Sequence, residues 1–170
     1  MRVAYADPPY IGQAMKHYGE SPNAAEVDHG ELIDRLQGYD AWALSLSSPT
    51  LRIILPMCPD SVRVAAWVKP FCSFKPNVNP AYAWEPVIFD GARRRTRTEK
   101  TVRDWVSANI TLRTGCAGAK PPEFCFWLFD LLGMEADDKF DDLYPGTGGV
   151  TLAWEVWKAQ RSWLFERVLL

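Results

Sequence analysis

The residues best suited to chemistry form the tetrapeptide Asp7-Pro8-Pro9-Tyr10. Each proline fixes its own φ angle and cannot donate a backbone hydrogen bond, so the pair ends the strand predicted before it. The same stiffness holds the Asp7 carboxylate and the Tyr10 ring in one arrangement. A carboxylate beside an aromatic ring suits the binding of a flat, polar ligand, although an ordinary turn would also fit these residues.

Two later segments have features of a ligand site. Residues 142–149 read Asp-Leu-Tyr-Pro-Gly-Thr-Gly-Gly, and their glycines would let a ligand approach the backbone before a helix begins. The segment lacks both the phosphate-loop spacing and the full GxGxxG spacing, so a structural turn is the alternative. Lys120 lies at a predicted helix start, where the dipole disfavours a cation. Taken alone, Lys120 is best interpreted as an exposed lysine. In combination with other motifs, a buried lysine with a carboxylate partner, such as one on a ligand, is favoured.

The order of predicted elements indicates how these segments are positioned. Strands are predicted at 2–6, 41–46, 62–68, 86–89, 139–144 and 162–165. Helices are predicted at 27–36, from Ser48 to just before Pro56, at 121–132 and at 151–160. This alternation is typical of an α/β fold with a mostly parallel sheet, in which ligands bind at the carboxyl ends of the strands.

Length and composition set outer limits on function. The 170 residues suffice for a single domain spanning 1–170. The net charge of −2 argues against a protein whose whole surface binds nucleic acid, but it allows a local basic patch. We expect no membrane partner, because no apolar run is long enough to cross a bilayer and no signal peptide opens the chain. Four cysteines without zinc spacing predict reduced, mostly buried thiols of a cytoplasmic protein and no metal site.

Two long polar segments, 71–84 and 93–103, are predicted to be loops. The second contains a compact basic cluster suited to contacts with nucleic-acid phosphates: Arg93, Arg94, Arg95 and Arg97. Lys75, in the first loop, is a further candidate for nucleic-acid binding. A solvated surface loop is the alternative for both segments.

Together, the motifs resemble those of the permuted, β-class-like S-adenosylmethionine-dependent amino-methyltransferases. This group contains DNA adenine-N6 and cytosine-N4 enzymes and is similar to the mRNA adenine-N6 enzymes. Residues 7–10 match its catalytic tetrapeptide, 118–123 resemble its cofactor-binding Lys-Pro segment, and 142–149 resemble its DPFxGSGT loop. Leu143, Tyr144 and Gly149 depart from that loop. The segments 67–70 and 84–88 resemble those that follow the catalytic motif in these relatives.

The resemblance implies a Rossmann-like methyltransferase sheet with helices on both faces, a circularly permuted motif order and an S-adenosylmethionine cofactor. It assigns catalysis to Asp7, Pro8, Pro9 and Tyr10. It assigns cofactor binding to Ala6, Asp7, Ala119, Lys120, Pro121, Asp142, Leu143, Tyr144, Gly146 and Gly148. Glu166, twenty positions after Gly146, resembles the acidic residue that holds the ribose hydroxyls, here at the end of the predicted final strand.

The amino group of adenine is a poor nucleophile, because its lone pair is delocalised into the ring. Asp7 and the Pro8 carbonyl would accept hydrogen bonds from this group and stabilise the positive charge that develops on it. Tyr10 would stack on the base. We therefore expect a DNA adenine-N6 methyltransferase. The alternatives are the same transfer to cytosine N4, RNA or a free nucleotide, and a non-catalytic nucleic-acid-binding subunit with the same fold.

The chain offers little additional length for recognising a target sequence. We therefore expect short or loose specificity, a single-stranded DNA substrate, or a reading surface supplied by a partner. Such a partner would be a second copy of the chain or a separate recognition subunit.

Overall fold

The computed structural model describes residues 1–11, 26–72, 76–110 and 119–168, with side chains described as far as Arg161. In the described residues, six strands form one sheet in the order β5-β3-β4-β2-β1-β6. The strands are β1 Arg2–Ala6, β2 Ala41–Ser45, β3 Arg63–Val68, β4 Trp84–Asp90, β5 Trp105–Ser107 and β6 Lys139–Asp142. The helices are α1 His29–Leu36, the short α2 Leu51–Ile54, α3 Pro122–Leu131 and α4 Gly149–Val168.

Strand directions give the sheet two chemically distinct edges. β1 pairs in parallel with β2 and β6, and β3 pairs in parallel with β5. β4 lies antiparallel between β2 and β3. We call the side where β1, β2, β3, β5 and β6 end, and where β4 begins, the carboxyl edge. The opposite side, where β4 ends at Asp90, is the amino edge.

Alternating residues of the central strands point into two separate cores. Val3 and Tyr5 belong to the core under α3 and α4, which includes a cluster of aromatic rings around Phe129. Ala4 and Ala6 belong to the core under α1 and α2. Because both faces are covered, the central strands are apolar almost throughout. The predicted arrangement of helices on both faces is thereby confirmed.

The sheet is mixed, whereas the sequence predicted a mostly parallel one. The chain between β3 and β4 contains Pro70, Pro76 and Pro80, which oppose the crossover helix that would return it to a parallel position. β4 therefore runs back alongside β3. A short strand, β5, also follows the predicted second loop, where the sequence predicted no strand.

The final strand predicted at 162–165 is wrong, because these residues continue helix α4 to Val168. Neither glycine nor proline interrupts the chain between Gly149 and Val168, so nothing in the sequence ends the helix earlier.

Cys58, Cys72 and Cys125 are free thiols, and Cys116 lies outside the described residues. Cys125 is buried, but Cys58 and Cys72 are half-buried, so the prediction of mostly buried thiols is wrong for these two. Within the described part of the chain, no helix combines the length and apolarity that a membrane span requires.

Candidate active site

The sheet register places the tetrapeptide beside the glycine-rich loop. Tyr5 in β1 pairs with Asp142 in β6, and the Leu143 N–H donates to the Tyr5 carbonyl at 2.9 Å. The chain leaves β1 after Ala6 and β6 after Asp142, both at the carboxyl edge. Two segments at opposite ends of the sequence therefore begin side by side, as the sequence predicted.

Lys120 brings the third predicted segment to the same place. It precedes α3, whose N-cap is Pro121. Its Nζ lies 3.0 Å from Asp7 Oδ1 and 3.1 Å from Glu85 Oε2, and its side chain is only 4% exposed. The ring centroids of Trp67 and Phe124 lie 5.4 and 5.8 Å from the same nitrogen. The partners of Lys120 in this structure are therefore the protein's own carboxylates.

Glu85, the second residue of β4, joins a further lysine to the site. One carboxylate oxygen pairs with Lys69 and the other with Lys120. Lys69 directly follows β3, and its Nζ lies 4.7 Å from the Trp67 ring centroid. We call Asp7, Lys120, Glu85 and Lys69 the ion-pair network.

Sequence reasoning gave Glu85 and Lys69 no role in a site. The available signal was a single glutamate leading into the apolar run 86–89, since a buried carboxylate requires partners.

Burial and charge act against each other on the carboxylates of the network. Burial raises the pKa of Asp7 and outweighs the opposing charge of Lys120. Burial also acts to raise the pKa of Glu85, but Lys120 and Lys69 together hold it below its usual range. Glu85 is therefore a firmly ionised carboxylate, whereas Asp7 is held in its charged form less strongly.

Lys120 and Tyr10 remain protonated at neutral pH. Burial alone would lower the pKa of Lys120, but Asp7, together with Glu85, raises it well above its usual value. Burial raises the pKa of the Tyr10 phenol, and Asp7 and Glu85 raise it further, against the opposing charge of Lys120. The site thus presents a neutral aromatic ring beside a charged network.

The loop after β6 contains an unsatisfied acceptor. Asp142 Oδ2 accepts a hydrogen bond from Thr151 Oγ1 at 3.1 Å, but the buried Oδ1 has no donor among the described residues. Burial raises the pKa of this carboxyl group. Such an oxygen suits a ligand ammonium or hydroxyl group as its donor.

The same loop has room beside its backbone. Gly146 and Gly148 adopt φ angles of +50° and +76°, which favour glycine. A Cβ at Gly148 would meet nothing within 4 Å, so space lies open there. Helix α4 begins at Gly149, and the first N–H groups of a helix have no partner within it.

The remaining cofactor candidates near the site differ in exposure. Ala6 is fully buried with its side chain in the core under α1 and α2, so its side chain does not face the site. Leu143 and Tyr144 pack partly against that same core. Pro121 is buried and Ala119 is half-buried at the start of α3.

Within the tetrapeptide, Pro8 is buried, and Pro9 and Tyr10 are half-buried. Glu166 lies near the end of helix α4 rather than on a strand, and its side chain is outside the described part. Lys75 and Gly118 also lie outside the described residues.

The arginine cluster lies at the amino edge, away from the tetrapeptide. Arg93 follows the end of β4, and its guanidinium donates to Asp138 at 2.7 and 2.9 Å and also pairs with Glu135. Arg95 donates to the Asp130 carbonyl. Arg94 and Arg97 are exposed. The structure therefore does not bring the predicted phosphate-binding arginines to the predicted catalytic residues.

No family model and no curated protein matches this sequence. Among solved structures, the chain is similar to M1.HpyAVI in complex with SAM, with a TM-score of 0.63 and 13% identity over 92% of this chain and 78% of that one. It is also similar to a second structure of M1.HpyAVI, with a TM-score of 0.59 and 13% identity over 93% and 76% of the two chains. The chain therefore has the Rossmann-like methyltransferase fold that the sequence predicted.

Proposed function

We propose that this protein transfers a methyl group from S-adenosylmethionine to the exocyclic amino group of a nucleic-acid base, with adenine N6 of DNA as the leading acceptor. The observation that carries the proposal is the meeting of three motif segments at the carboxyl edge. The Tyr5–Asp142 register joins two of them, and the ion pair between Lys120 and Asp7 joins the third. The similarity to a SAM-bound structure supports the same assignment.

The residues at this edge fit the cofactor. S-adenosylmethionine carries an ammonium group, a carboxylate and ribose hydroxyls, and it supplies an electrophilic methyl group. The Asp142 Oδ1 atom, which lacks a donor, suits an ammonium or hydroxyl group. The open backbone at Gly146 and Gly148 and the start of helix α4 suit polar and anionic groups. A ribose-binding role for Glu166 remains a prediction from the motif spacing.

We assign the binding of the acceptor amino group to Asp7. Lys120 pairs with Oδ1, and among the described residues none is hydrogen-bonded to Oδ2. As the amino nitrogen bonded to the methyl carbon, the methyl–sulfur bond would break and the nitrogen would gain positive charge, which the later loss of one N–H proton would remove. Oδ2 and the Pro8 carbonyl would accept hydrogen bonds from its two N–H groups. These fixed acceptors stabilise the charge without reorganisation. The neutral ring of Tyr10 would stack on the base and hold the nitrogen in line.

The test is methyl transfer from labelled cofactor to single-stranded DNA, duplex DNA, RNA and free nucleotides in parallel. Products are digested to nucleosides and identified chromatographically. The expected result is N6-methyladenine in DNA, lost in Asp7→Ala. Label on cytosine N4, RNA or nucleotides would reassign the acceptor. Cofactor binding without transfer to any acceptor, unchanged by Asp7→Ala, would refute catalysis and favour a non-catalytic subunit.

A further inference from the structure

Glu85 lies at the centre of the ion-pair network, although no motif gave it a role. Its two oxygens are divided between two cations, with Oε1 on Lys69 and Oε2 on Lys120. The Glu85 side chain is 14% exposed and that of Lys69 is 12% exposed. A carboxylate so placed is costly unless both oxygens are paired, so the arrangement fixes the positions of all three side chains.

The Lys120 ammonium is shared almost equally between two carboxylates, at 3.0 Å from Asp7 and 3.1 Å from Glu85. It lies just before helix α3, where the helix dipole disfavours a cation, so its position depends on these anions. Glu85 is paired with Trp67 in the register of β3 and β4. The anchor for Lys120 is thus part of the sheet, which moves less than a loop.

We infer that Glu85 is a positioning residue, which holds Lys120 on Asp7 Oδ1 and so leaves Asp7 Oδ2 for the acceptor amino group. The consequence for catalysis rests on the proposed function. The positioning itself is a property of the free protein and is measurable without turnover.

Removing the charge of Glu85 has two opposite effects on Asp7. Glu85 raises the pKa of Asp7 directly, as a like charge, whereas Lys120 lowers it. If Lys120 stays in place without Glu85, the pKa of Asp7 falls. If Lys120 moves away, the pKa of Asp7 rises, because burial is then less opposed. The sign of the change therefore reports whether Glu85 holds the lysine.

Other groups near Asp7 are common to both cases. Lys69 pairs with Glu85 and also acts to lower the pKa of Asp7, and Tyr10 belongs to the same tetrapeptide and interacts with Glu85. Tyr5 and Asp142 interact with Asp7 from β1 and β6, and Cys125 does so from α3. Lys69 and Tyr10 lose an interaction with Glu85 in a variant substituted there. Lys69 acts on Asp7 less than Lys120 and Glu85 do, and Tyr10 is uncharged, so the sign of the change is set mainly by Lys120.

The first experiment titrates Asp7 by NMR in protein labelled with ¹³C at the aspartate carboxyl carbons, with Asp7→Asn assigning the signal. We expect the Asp7 midpoint to move to higher pH in Glu85→Gln. Glu31→Gln, a substitution at an exposed residue of α1, is the matched control and should leave it unchanged. An unchanged or lower midpoint in Glu85→Gln would overturn the inference.

Glu85→Asp provides a second variant if Glu85→Gln does not fold. It keeps the charge but shortens the side chain by one methylene, so it cannot reach both lysines in the same geometry. We again expect the Asp7 midpoint to move to higher pH, but by less than in Glu85→Gln. A midpoint equal to that of the native protein would count against positioning by Glu85.

The second experiment measures methyl transfer. A misplaced Asp7 should lower kcat by up to about 100-fold. The acid limb of the kcat profile should shift to higher pH, as in the NMR titration. Absence of transfer by the native protein would refute the proposed function, yet the NMR result would still decide the role of Glu85. Native turnover with unchanged kcat in Glu85→Gln would overturn the inference.

Discussion

Each edge of the sheet has an aspartate among cations, yet the pKa values of the two carboxyl groups are shifted in opposite directions. At the amino edge, Asp138 is 1% exposed and accepts two hydrogen bonds from Arg93 and one from the Glu135 N–H at 2.8 Å. Burial opposes its ionisation, but the Met1 amino group, the Glu135 N–H and Arg93 hold its pKa below the usual range. At the carboxyl edge, burial raises the pKa of Asp7.

The difference lies in how completely each carboxylate is satisfied. Asp138 receives donors on both oxygens, whereas Asp7 shares one lysine with Glu85. Asp142, also at the carboxyl edge, has a buried oxygen without a described donor. Among the described residues, the buried Nε of Arg93 at the amino edge also lacks an acceptor. The contrast between the two edges therefore applies to their carboxylates only. Satisfied carboxylates stabilise a fold, and unsatisfied ones are available to a ligand.

Asp7→Asn should have the largest effect on activity and little effect on stability. We expect methyl transfer to fall by at least about 10²- to 10³-fold, since a preorganised charged acceptor is lost. The melting temperature at pH 7 should change little, because burial disfavours the Asp7 carboxylate while its pairing stabilises the buried Lys120 ammonium, and the two effects oppose each other. Labelled-methyl incorporation and thermal denaturation measure the two effects. Full activity in the variant would remove Asp7 from the mechanism.

Asp138→Asn should have the opposite profile. Breaking this pair should cost about 2–3 kcal/mol, below the range for fully buried pairs because Arg93 is 32% exposed. The melting temperature should fall by roughly 5–10 °C, with normal turnover per folded molecule. The control is Asp141→Asn, which breaks an exposed pair with Arg2 and should cost less than about 0.5 kcal/mol. Equal losses of stability in Asp138→Asn and Asp141→Asn would contradict the distinction between the buried and the exposed pair.

The pH dependence of these two variants should differ in sign. The folded-state pKa of Asp138 is lowered, so its stabilisation is present above the unfolded pKa of about 4 and lost as the pH falls through the folded value. The loss of stability in Asp138→Asn relative to the native protein should therefore become smaller as the pH falls. The pKa of Asp7 is raised, so native stability from this group is lost as the pH rises through the folded value.

Asp7→Asn should consequently gain stability relative to the native protein as the pH rises above the unfolded-state pKa of about 4. Melting temperatures of the three proteins, measured in parallel at half-unit intervals, test this. Parallel changes in both variants would mean that the two carboxylates are not in opposite environments.

The direction of β4 explains which parts of the site could be predicted from the sequence and which could not. The strand at 2–6 was readable as an apolar run ended by prolines, and the strand at 139–144 as a short segment that runs into a proline- and glycine-containing turn. Parallel pairing alone places their ends together. The direction of β4 depends on a long connection and is not encoded in its own residues. A parallel β4 would have placed Arg93 at the carboxyl edge. The reversed strand places Glu85 there instead, so both the missing site residue and the separated arginines have one cause.

The smallest effect is expected from the double variant Arg94→Ala/Arg97→Ala. Both residues follow the amino-edge end of β4, and a five-residue strand such as β1 separates the edges by about 16 Å. An acceptor of three or four nucleotides bound at Asp7 should therefore not reach them. We expect transfer to such an oligonucleotide to change less than twofold, with an unchanged dependence of affinity on salt. If each lost arginine instead reduced the slope of log affinity against log salt by about 0.7, nucleic acid would extend to the amino edge, and that edge would share in substrate binding rather than only stabilising the fold.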